Sequence, residues 1–174
     1  TDYVGSMVVL EDGMPAKKEY RRFKVNIDGN DDYAAMEEVL TRRLQAYLDE
    51  RDQPIEERGE KPGKFAYPPP LLVVDGGKGQ LGVAERVVNE LGLADEIPVA
   101  ALAKRFEEVF VPGSSAPVRF TRGSEALFML QRIRDEAHRF ANSFHRERRS
   151  KRMTTSSLDG IPGLGPARRD RLAK

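Results

Sequence analysis

The feature that most constrains the fold of this chain is the segment at residues 73–81, VVDGGKGQL. The apolar run at residues 71–74 predicts a buried strand, since prolines precede it and glycines follow it. Asp75 then stands at the carboxyl end of that strand, where α/β sheets open and bind ligands. The glycines permit a sharp turn into a helix that begins near Gln80. The segment therefore predicts an α/β fold with a ligand site at Asp75.

The chemistry of this turn suits a phosphodiester. Lys78 lies within the turn, close to the Asp75 carboxylate, so one acid, one cation and exposed backbone amides are available for a phosphate and a divalent ion. The segment is not a P-loop, because Gly79 follows the lysine where Ser or Thr is required, and it lacks the glycine spacing of a dinucleotide fingerprint. A glycine turn that binds nothing is the alternative, and the residues alone leave both interpretations open.

Composition excludes several classes of protein. The 174 residues suffice for one domain with small additions, and the absence of cysteine excludes disulfides, cysteine-ligated zinc and cysteine nucleophiles. No apolar run is long enough to span a bilayer, and no signal-peptide pattern opens the chain. We therefore expect no membrane association and a cytoplasmic location. The net charge is only +1, so charge alone does not indicate a nucleic-acid partner.

The remaining pattern predicts a hairpin, two further helices and more strands. Asp31 or Asp32 is expected to cap the first helix, whose apolar positions recur at helical spacing. The predicted elements are strands at 3–10 and 19–27 joined by a turn at 11–13, a helix to about Arg51, an exposed loop at 53–70, a helix from about Gln80 to Leu91, a strand at 98–103, a hairpin of 107–111 with 118–120, and a long helix from Ser124 to about Arg149.

The long helix carries a second candidate site. Arg134 and His138 are four residues apart and share a face. Imidazole can exchange a proton near neutral pH or bind a metal, and phosphodiester hydrolysis uses both properties. A structural or solvated histidine is the alternative. Between residues 132 and 152, Lys and Arg outnumber Asp and Glu, so Arg148 and Arg149 either contact phosphate or form a solvated helix end.

A third feature lies near the C-terminus, in the sequence IPGLGP at residues 161–166. It is similar to the hairpin of a helix-hairpin-helix motif, in which glycines present backbone amides to a DNA phosphate without reading sequence. Gly163 and Gly165 would make that contact, and a basic helix carrying Arg168 and Arg169 follows. An ordinary turn between short helices is the alternative.

These motifs together resemble the C-terminal half of the UvrC family, the incision nucleases of bacterial nucleotide excision repair. The resemblance covers nearly the whole chain. It implies an RNase H-like endonuclease domain at residues 1–155, built from a mixed sheet flanked by helices, and a partial helix-hairpin-helix motif at 156–174. The segments that carry it, in order, are EYRRF, NDDYAAMEEVL, VVDGGKGQL, LQRIRDEAHRFA, FHRERRSK and TTSSLDGIPGLGPARRDRL.

The resemblance also implies a function. Family members cut damaged duplex DNA on the 5′ side of a lesion, without sequence specificity, and use a divalent metal such as Mg²⁺ or Mn²⁺. Asp75 and His138 match metal ligands of that family, and His138 would serve as a general base or a further ligand. Asp32 matches a further acid near the edge of the site, and Lys78 and Arg134 match supporting residues. The residues implied in DNA binding are Gly163, Gly165, Arg168, Arg169, Arg148 and Arg149.

The chain departs from the family pattern before Tyr3. The family's first catalytic aspartate lies there, on the central strand of the sheet, and this chain has no counterpart. We therefore expect a missing central strand and weak metal binding, and an inactive DNA- or partner-binding fragment is the alternative function. The family's segment that binds UvrB is also outside this chain. If Asp75 and His138 form one site, we expect their side chains to be about 4–8 Å apart, bridged by metal or water.

Overall fold

The computed structural model describes residues 3–27, 30–57, 65–104 and 108–159, together with Gly59, Gly63 and Arg171. Short 3₁₀ helices lie at Lys17–Glu19 and Ile55–Glu57. The strands and α-helices, in chain order, are β1 (Tyr3–Met7), β2 (Leu10–Glu11), β3 (Met14–Pro15), β4 (Arg21–Val25), α1 (Asp32–Arg51), β5 (Leu72–Asp75), α2 (Lys78–Glu90), β6 (Val99–Leu102), β7 (Val109–Phe110) and α3 (Glu125–Asp159).

The first part of the chain forms the predicted hairpin. Strand β1 pairs antiparallel with β4, with Tyr3 opposite Val25. Between them, β2 and β3 form a smaller hairpin around Asp12 and Gly13, whose φ angles are 49° and 75°. Positive φ at both turn residues matches the twist of the flanking strands, and Asp-Gly is a preferred pair there. The strand predicted at 3–10 is divided into β1 and β2.

Helix α1 begins and ends where the sequence predicts. The Asp31 carboxylate accepts the N–H groups of Tyr33 and Ala34, both at 3.0 Å, and so caps the helix. Its apolar stripe packs inward, with Leu44 and Tyr47 almost fully buried.

Strands β5, β6 and β7 form the sheet that carries the candidate site. Strand β5 pairs parallel with β6, with Asp75 in register with Leu102, and β6 pairs antiparallel with β7. Helix α2 connects the two parallel strands, as the glycine turn predicts. The hairpin predicted after β6 is only partly formed: among the described residues, Val118 makes a single bridge to Val109.

Helix α2 begins at Lys78, two residues before the predicted start at Gln80. The Gln80 side chain accepts the N–H of Gly77 at 3.0 Å, which stabilises a helix start at Gly77. Lys78 is therefore the first helical residue and not part of the turn. The turn itself needs glycine at Gly76, where φ is +149° and a Cβ atom would come within 2.5 Å of Gln80.

Helices cover both faces of this sheet. Val74, Val99 and Ala101 point to one face and pack with α1 and α2. The alternate residues point to the other face, where Leu130 of α3 packs. The fold is thus a mixed α/β arrangement, as the sequence and the resemblance predict.

The described residues form two main sheets that share no backbone hydrogen bonds. One contains β1 and β4, and the other contains β5, β6 and β7. Within the described ranges, β1 and β5 each pair with one strand only.

Helix α3 is 35 residues long and ends at Asp159, ten residues beyond its predicted end near Arg149. Residues 150–159 contain no Gly or Pro, and the first glycine after Arg149 is Gly160. The segment therefore has no strong helix breaker. The domain boundary expected after residue 155 falls within this helix and stays a prediction. No helix among the described residues is long and apolar enough to cross a membrane.

Candidate active site

Asp75 and His138 meet at the carboxyl end of β5. Nε2 of His138 lies 2.6 Å from Oδ2 of Asp75. A carboxylate oxygen accepts hydrogen bonds, so the contact is a hydrogen bond in the tautomer of His138 that carries a hydrogen on Nε2. The Asp75 and His138 side chains are 37% and 36% exposed, and solvent or substrate can therefore reach the pair. The expectation that they lie together is confirmed, whereas the expected gap of about 4–8 Å is wrong because the contact is direct.

Strand alternation directs the Asp75 carboxylate toward α3. Asp75 and Val73 are two residues apart on β5, so they lie on the same face of the sheet. Val73 packs in a cluster with Leu102 and with Leu130 of α3. The strand therefore presents the carboxylate on the side that α3 covers.

Helical spacing brings His138 to the same point. Leu130, Arg134 and His138 follow one another at intervals of four residues and share one face of α3. Leu130 packs against the sheet, and the Arg134 side chain is 14% exposed. Two turns beyond Leu130, this face carries the imidazole to the carboxyl edge of β5.

A polar network holds α3 against the first hairpin. The Tyr20 hydroxyl donates to Oε1 of Glu136 at 2.7 Å, and Arg139 donates to both carboxylate oxygens of Glu136 at 2.5 and 2.8 Å. The bonds from Arg139 are the main cause that lowers the pKa of Glu136 to about 2. Burial and the bond to Glu136 raise the pKa of Tyr20 to about 12. The network lies within one turn of His138 and fixes the position of the helix.

Arg22 of β4 adds a second anchor. Its guanidinium lies 4.6 Å from the ring centroid of Phe140 and 5.0 Å from that of Phe144. It also donates to Ser143 Oγ at 2.9 Å and pairs with Glu147 at 3.3 Å. Stacking and hydrogen bonding by one guanidinium hold two turns of α3 beyond His138.

Lys104 is a site residue that the sequence analysis missed. Its Nζ lies 3.8 Å from Oδ2 of Asp75, and its side chain is 69% exposed. A signal for it was present: Lys104 follows Leu102, the last residue of β6, by two positions. Since β5 and β6 are parallel, side chains beyond their carboxyl ends converge on one edge.

Lys78 does not occupy the position predicted for it. Its Nζ donates to the backbone carbonyl of Ser115 at 2.5 Å and lies 5.6 Å from the ring centroid of Phe110. The expected proximity to the Asp75 carboxylate is therefore wrong for the ammonium group: the lysine paired with Asp75 is Lys104. As the first residue of α2, Lys78 extends its side chain toward the loop after β7.

Two further residues predicted to support the site, Arg134 and Asp32, lie on α3 and at the start of α1. Nε and Nη2 of Arg134 both lie 3.3 Å from Oδ1 of Asp135, one turn before His138. Asp32 is the first residue of α1. Its neighbour Tyr33 lies so close to α2 that a Cβ atom on Gly79 would be 2.5 Å from the Tyr33 hydroxyl. This contact brings the start of α1 close to the first turn of α2, and the role of Asp32 at the edge of the site stays a prediction.

The residues implied in DNA binding are only partly described. Gly163, Gly165, Arg168 and Arg169 lie outside the described residues, as does the side chain of Arg148. Arg149 is exposed on α3. Their role in binding DNA stays a prediction.

The pair offers two ligands for a metal ion. The Asp75 carboxylate suits Mg²⁺ or Mn²⁺, whereas imidazole is a more usual ligand of softer ions, and Mg²⁺ sites commonly use one or two carboxylates with waters and substrate phosphates as the remaining ligands. Within the residues that the structure describes, no group of three or more His, Cys, Asp or Glu side chains is placed to hold a metal. The donors at Asp75 and His138 thus fit an ion that keeps most of its water.

Comparison with known proteins agrees with this geometry. The family model of the UvrC RNase H endonuclease domain matches residues 1–142, which include both Asp75 and His138. The chain belongs to this family. The resemblance and the RNase H-like fold class predicted from the sequence are therefore confirmed.

Curated relatives named UvrABC system protein C match almost the whole chain. The relative from Mycobacterium leprae is 52% identical over 99% of this chain and 27% of its own length. The relative from Thermobifida fusca is 50% identical over 98% of this chain and 28% of its length, and that from Acidothermus cellulolyticus is 49% identical over 97% and 28%. The chain thus spans less than a third of the relatives that it matches.

Proposed function

We propose that this UvrC-family domain hydrolyses a DNA phosphodiester on the 5′ side of a lesion, as part of nucleotide excision repair. The observation that carries the proposal is the contact between Asp75 and His138 at the carboxyl edge of β5. The match to an endonuclease domain family supports it. An acid and an imidazole in contact, open to solvent and beside a lysine, are groups that phosphodiester hydrolysis uses.

The proposed reaction assigns a role to each residue. A bound Mg²⁺ or Mn²⁺ supplies a Lewis acid and lowers the pKa of a bound water. Asp75 would hold the ion through its carboxylate, and His138 would either add a ligand or accept a proton from the attacking water. To do either with Nε2, His138 must first give up its hydrogen bond to Asp75. The water oxygen bonds to phosphorus as its proton passes to His138 or to solvent, one bridging P–O bond breaks, and the departing oxygen takes a proton from solvent water.

Further residues are proposed in supporting roles. Asp32 would act at the rim of the site, and Arg134 beside His138 would stabilise charge on the phosphate. Lys78 has the same proposed role, which requires that it leave the Ser115 carbonyl.

The proposed partners follow from the family. They are damaged duplex DNA, bound without sequence specificity, and UvrB, which would bind a segment outside this chain. The exposed Arg149 and the segment around Gly163 would contact DNA phosphates. The cytoplasm is the proposed location.

A nicking assay with Mn²⁺ on damaged duplex DNA tests the proposal in the full-length gene product. Replacement Asp75→Asn keeps the size of the side chain and removes the metal-binding charge, so nicking should fall at least about a hundredfold. The matched control is Asp49→Asn, an exposed carboxylate on α1 that accepts from Gln45, and it should nick at the wild-type rate. Equal rates for Asp75→Asn and the wild type would exclude the nuclease proposal.

A second candidate function is a DNA- or partner-binding module without activity. The small number of metal ligands among the described residues favours it. It predicts that the 174-residue chain binds duplex DNA yet does not nick it at any Mn²⁺ concentration. Nicking by this chain that Asp75→Asn abolishes would exclude the second candidate.

A further inference from the structure

Lys104 is the cation nearest to the Asp75–His138 pair among the contacts of the described residues. Its Nζ lies 3.8 Å from Oδ2 of Asp75, the same oxygen that contacts His138. The lysine lies just beyond the end of β6, and β6 is the strand that pairs with β5. An imidazole and an ammonium group therefore both approach the same oxygen atom of the Asp75 carboxylate.

The ion pair between Lys104 and Asp75 can open readily. At 3.8 Å it is longer than a charge-assisted hydrogen bond, and 69% of the Lys104 side chain is exposed. Exposed ion pairs contribute little to stability, and the lysine side chain is long and flexible. The ammonium can therefore turn toward an anion that arrives beside Asp75.

We propose that Lys104 is a catalytic residue that binds a non-bridging oxygen of the scissile phosphate and leaves Asp75 when DNA enters the site. The inference rests on the proposed nuclease function. No bond to Lys104 forms or breaks, and the ammonium keeps its three protons. Because negative charge on the phosphate oxygens grows as water attacks phosphorus, a cation at this place stabilises the transition state more than the bound substrate.

Lys104 is better placed for this role than Lys78. The ammonium of Lys78 donates to the Ser115 carbonyl and lies over Phe110, so it must break a short hydrogen bond to reach the site. Lys104 starts beside the carboxylate, and among the described residues its ion pair is with Asp75 itself.

The same position has an effect on metal binding. An ammonium ion close to Asp75 repels a divalent cation that approaches the same carboxylate. Removal of the charge at Lys104 should therefore strengthen Mn²⁺ binding in the absence of DNA while it slows the reaction. A residue that only supports the local structure would weaken both properties when replaced.

The test uses the full-length gene product with Lys104→Met, Lys104→Arg and the control Lys18→Met, which removes an exposed lysine from the 3₁₀ helix before β4. Single-turnover nicking is measured with Mn²⁺ at saturating damaged duplex, and Mn²⁺ affinity is measured without DNA by calorimetry. We expect Lys104→Met to slow nicking about a hundredfold and to bind Mn²⁺ at least as tightly as the wild type. Lys104→Arg should recover most of the rate, and Lys18→Met should change neither property.

Two results would overturn the inference: nicking by Lys104→Met at the wild-type rate, or a loss of Mn²⁺ affinity that accounts for the slower rate. Asp75→Asn, assayed in parallel, separates this inference from the proposed function. If Asp75→Asn is inactive and Lys104→Met is fully active, only the role of Lys104 fails. If Asp75→Asn is active, the nuclease proposal fails first.

Discussion

Nε2 of His138 and Oδ2 of Asp75 lie 2.6 Å apart, a distance that one hydrogen between them bridges. That hydrogen occupies the space that an ion bound to both atoms would need. An ion can therefore bind both atoms only when Nε2 carries no hydrogen and the hydrogen bond between the two side chains is broken.

Replacement of His138 should separate chemistry from binding. We expect His138→Ala to lower the nicking rate by about a hundred- to ten-thousand-fold, the range in which general acid–base groups contribute, while the dissociation constant for DNA stays within about twofold. Single-turnover kinetics and fluorescence anisotropy give the two quantities. The control is His145→Ala, because His145 is exposed two turns further along α3. Equal losses in both variants would show that the effect is not specific to the site.

The pair itself could be predicted from the sequence better than its surroundings. Asp75 stands at the end of an apolar run before glycines, and His138 follows Leu130 on a helical stripe, so strand alternation and helical spacing decide where both side chains point. Lys78 was placed wrongly beside Asp75, and Lys104 was not singled out. A lysine has a long, flexible side chain, and which one pairs with Asp75 depends on the register of β5 with β6, which a single sequence does not specify.

The ends of the helices and strands could be predicted only where a recognisable capping residue sets them. The start of α1 follows from a local cap at Asp31 and was predicted correctly. The early start of α2 depends on the Gln80 side chain, which folds back onto Gly77. The length of β7 depends on its pairing with β6 and with Val118. Contacts of that kind leave little trace in hydrophobic periodicity.

Acid should weaken the attachment of α3 to the first hairpin. The pKa of Glu136 is lowered to about 2 from an ordinary value of 4.5, so its contribution to stability is present above pH 4.5 and is lost as the pH falls toward 2. We expect the melting temperature of the 174-residue chain to drop more steeply over that range in the wild type than in Glu136→Gln. Parallel pH profiles for the two proteins would contradict the predicted role of Glu136.

Alkali should affect the same network through Tyr20. The pKa of Tyr20 is raised from 10.0 to about 12, so its contribution is present below pH 10 and is lost as the pH rises toward 12. Tyr20→Phe keeps the ring that packs edge-on against Phe140 and removes the hydroxyl. Its melting temperature should therefore vary less over this range than that of the wild type, as circular dichroism can measure.

Two glycines of α2 should respond differently to alanine. A Cβ atom at Gly82 would meet nothing within 4 Å, so Gly82→Ala should stabilise the chain by about 0.5–1 kcal/mol through helix propensity. A Cβ atom at Gly79 would come within 2.5 Å of the Tyr33 hydroxyl, so Gly79→Ala should gain less or lose stability. In a Tyr33→Ala background, Gly79→Ala should recover its gain in urea unfolding, and a double-mutant cycle with no coupling would refute the contact.

The glycines near the C-terminus should act on DNA affinity alone. If Gly163 and Gly165 present amides to a phosphate, Gly163→Val or Gly165→Val should weaken duplex binding by a similar factor on any sequence and leave the melting temperature unchanged. Wild-type binding should fall steeply with salt, because phosphate contacts release counterions. Anisotropy over a salt series decides the question, and superimposable curves for wild type and both variants would mean that this segment does not touch DNA.

Because α3 is one unbroken helix, it fixes the distance between His138 and the end of the helix at Asp159. Asp159 follows His138 by 21 residues within one helix, and at about 1.5 Å per residue they are about 32 Å apart along the axis. One turn of B-form DNA measures about 34–36 Å. A continuous helix with no Gly or Pro between these two residues thus separates its C-terminal end at Asp159 from His138 by about the length of one turn of a duplex.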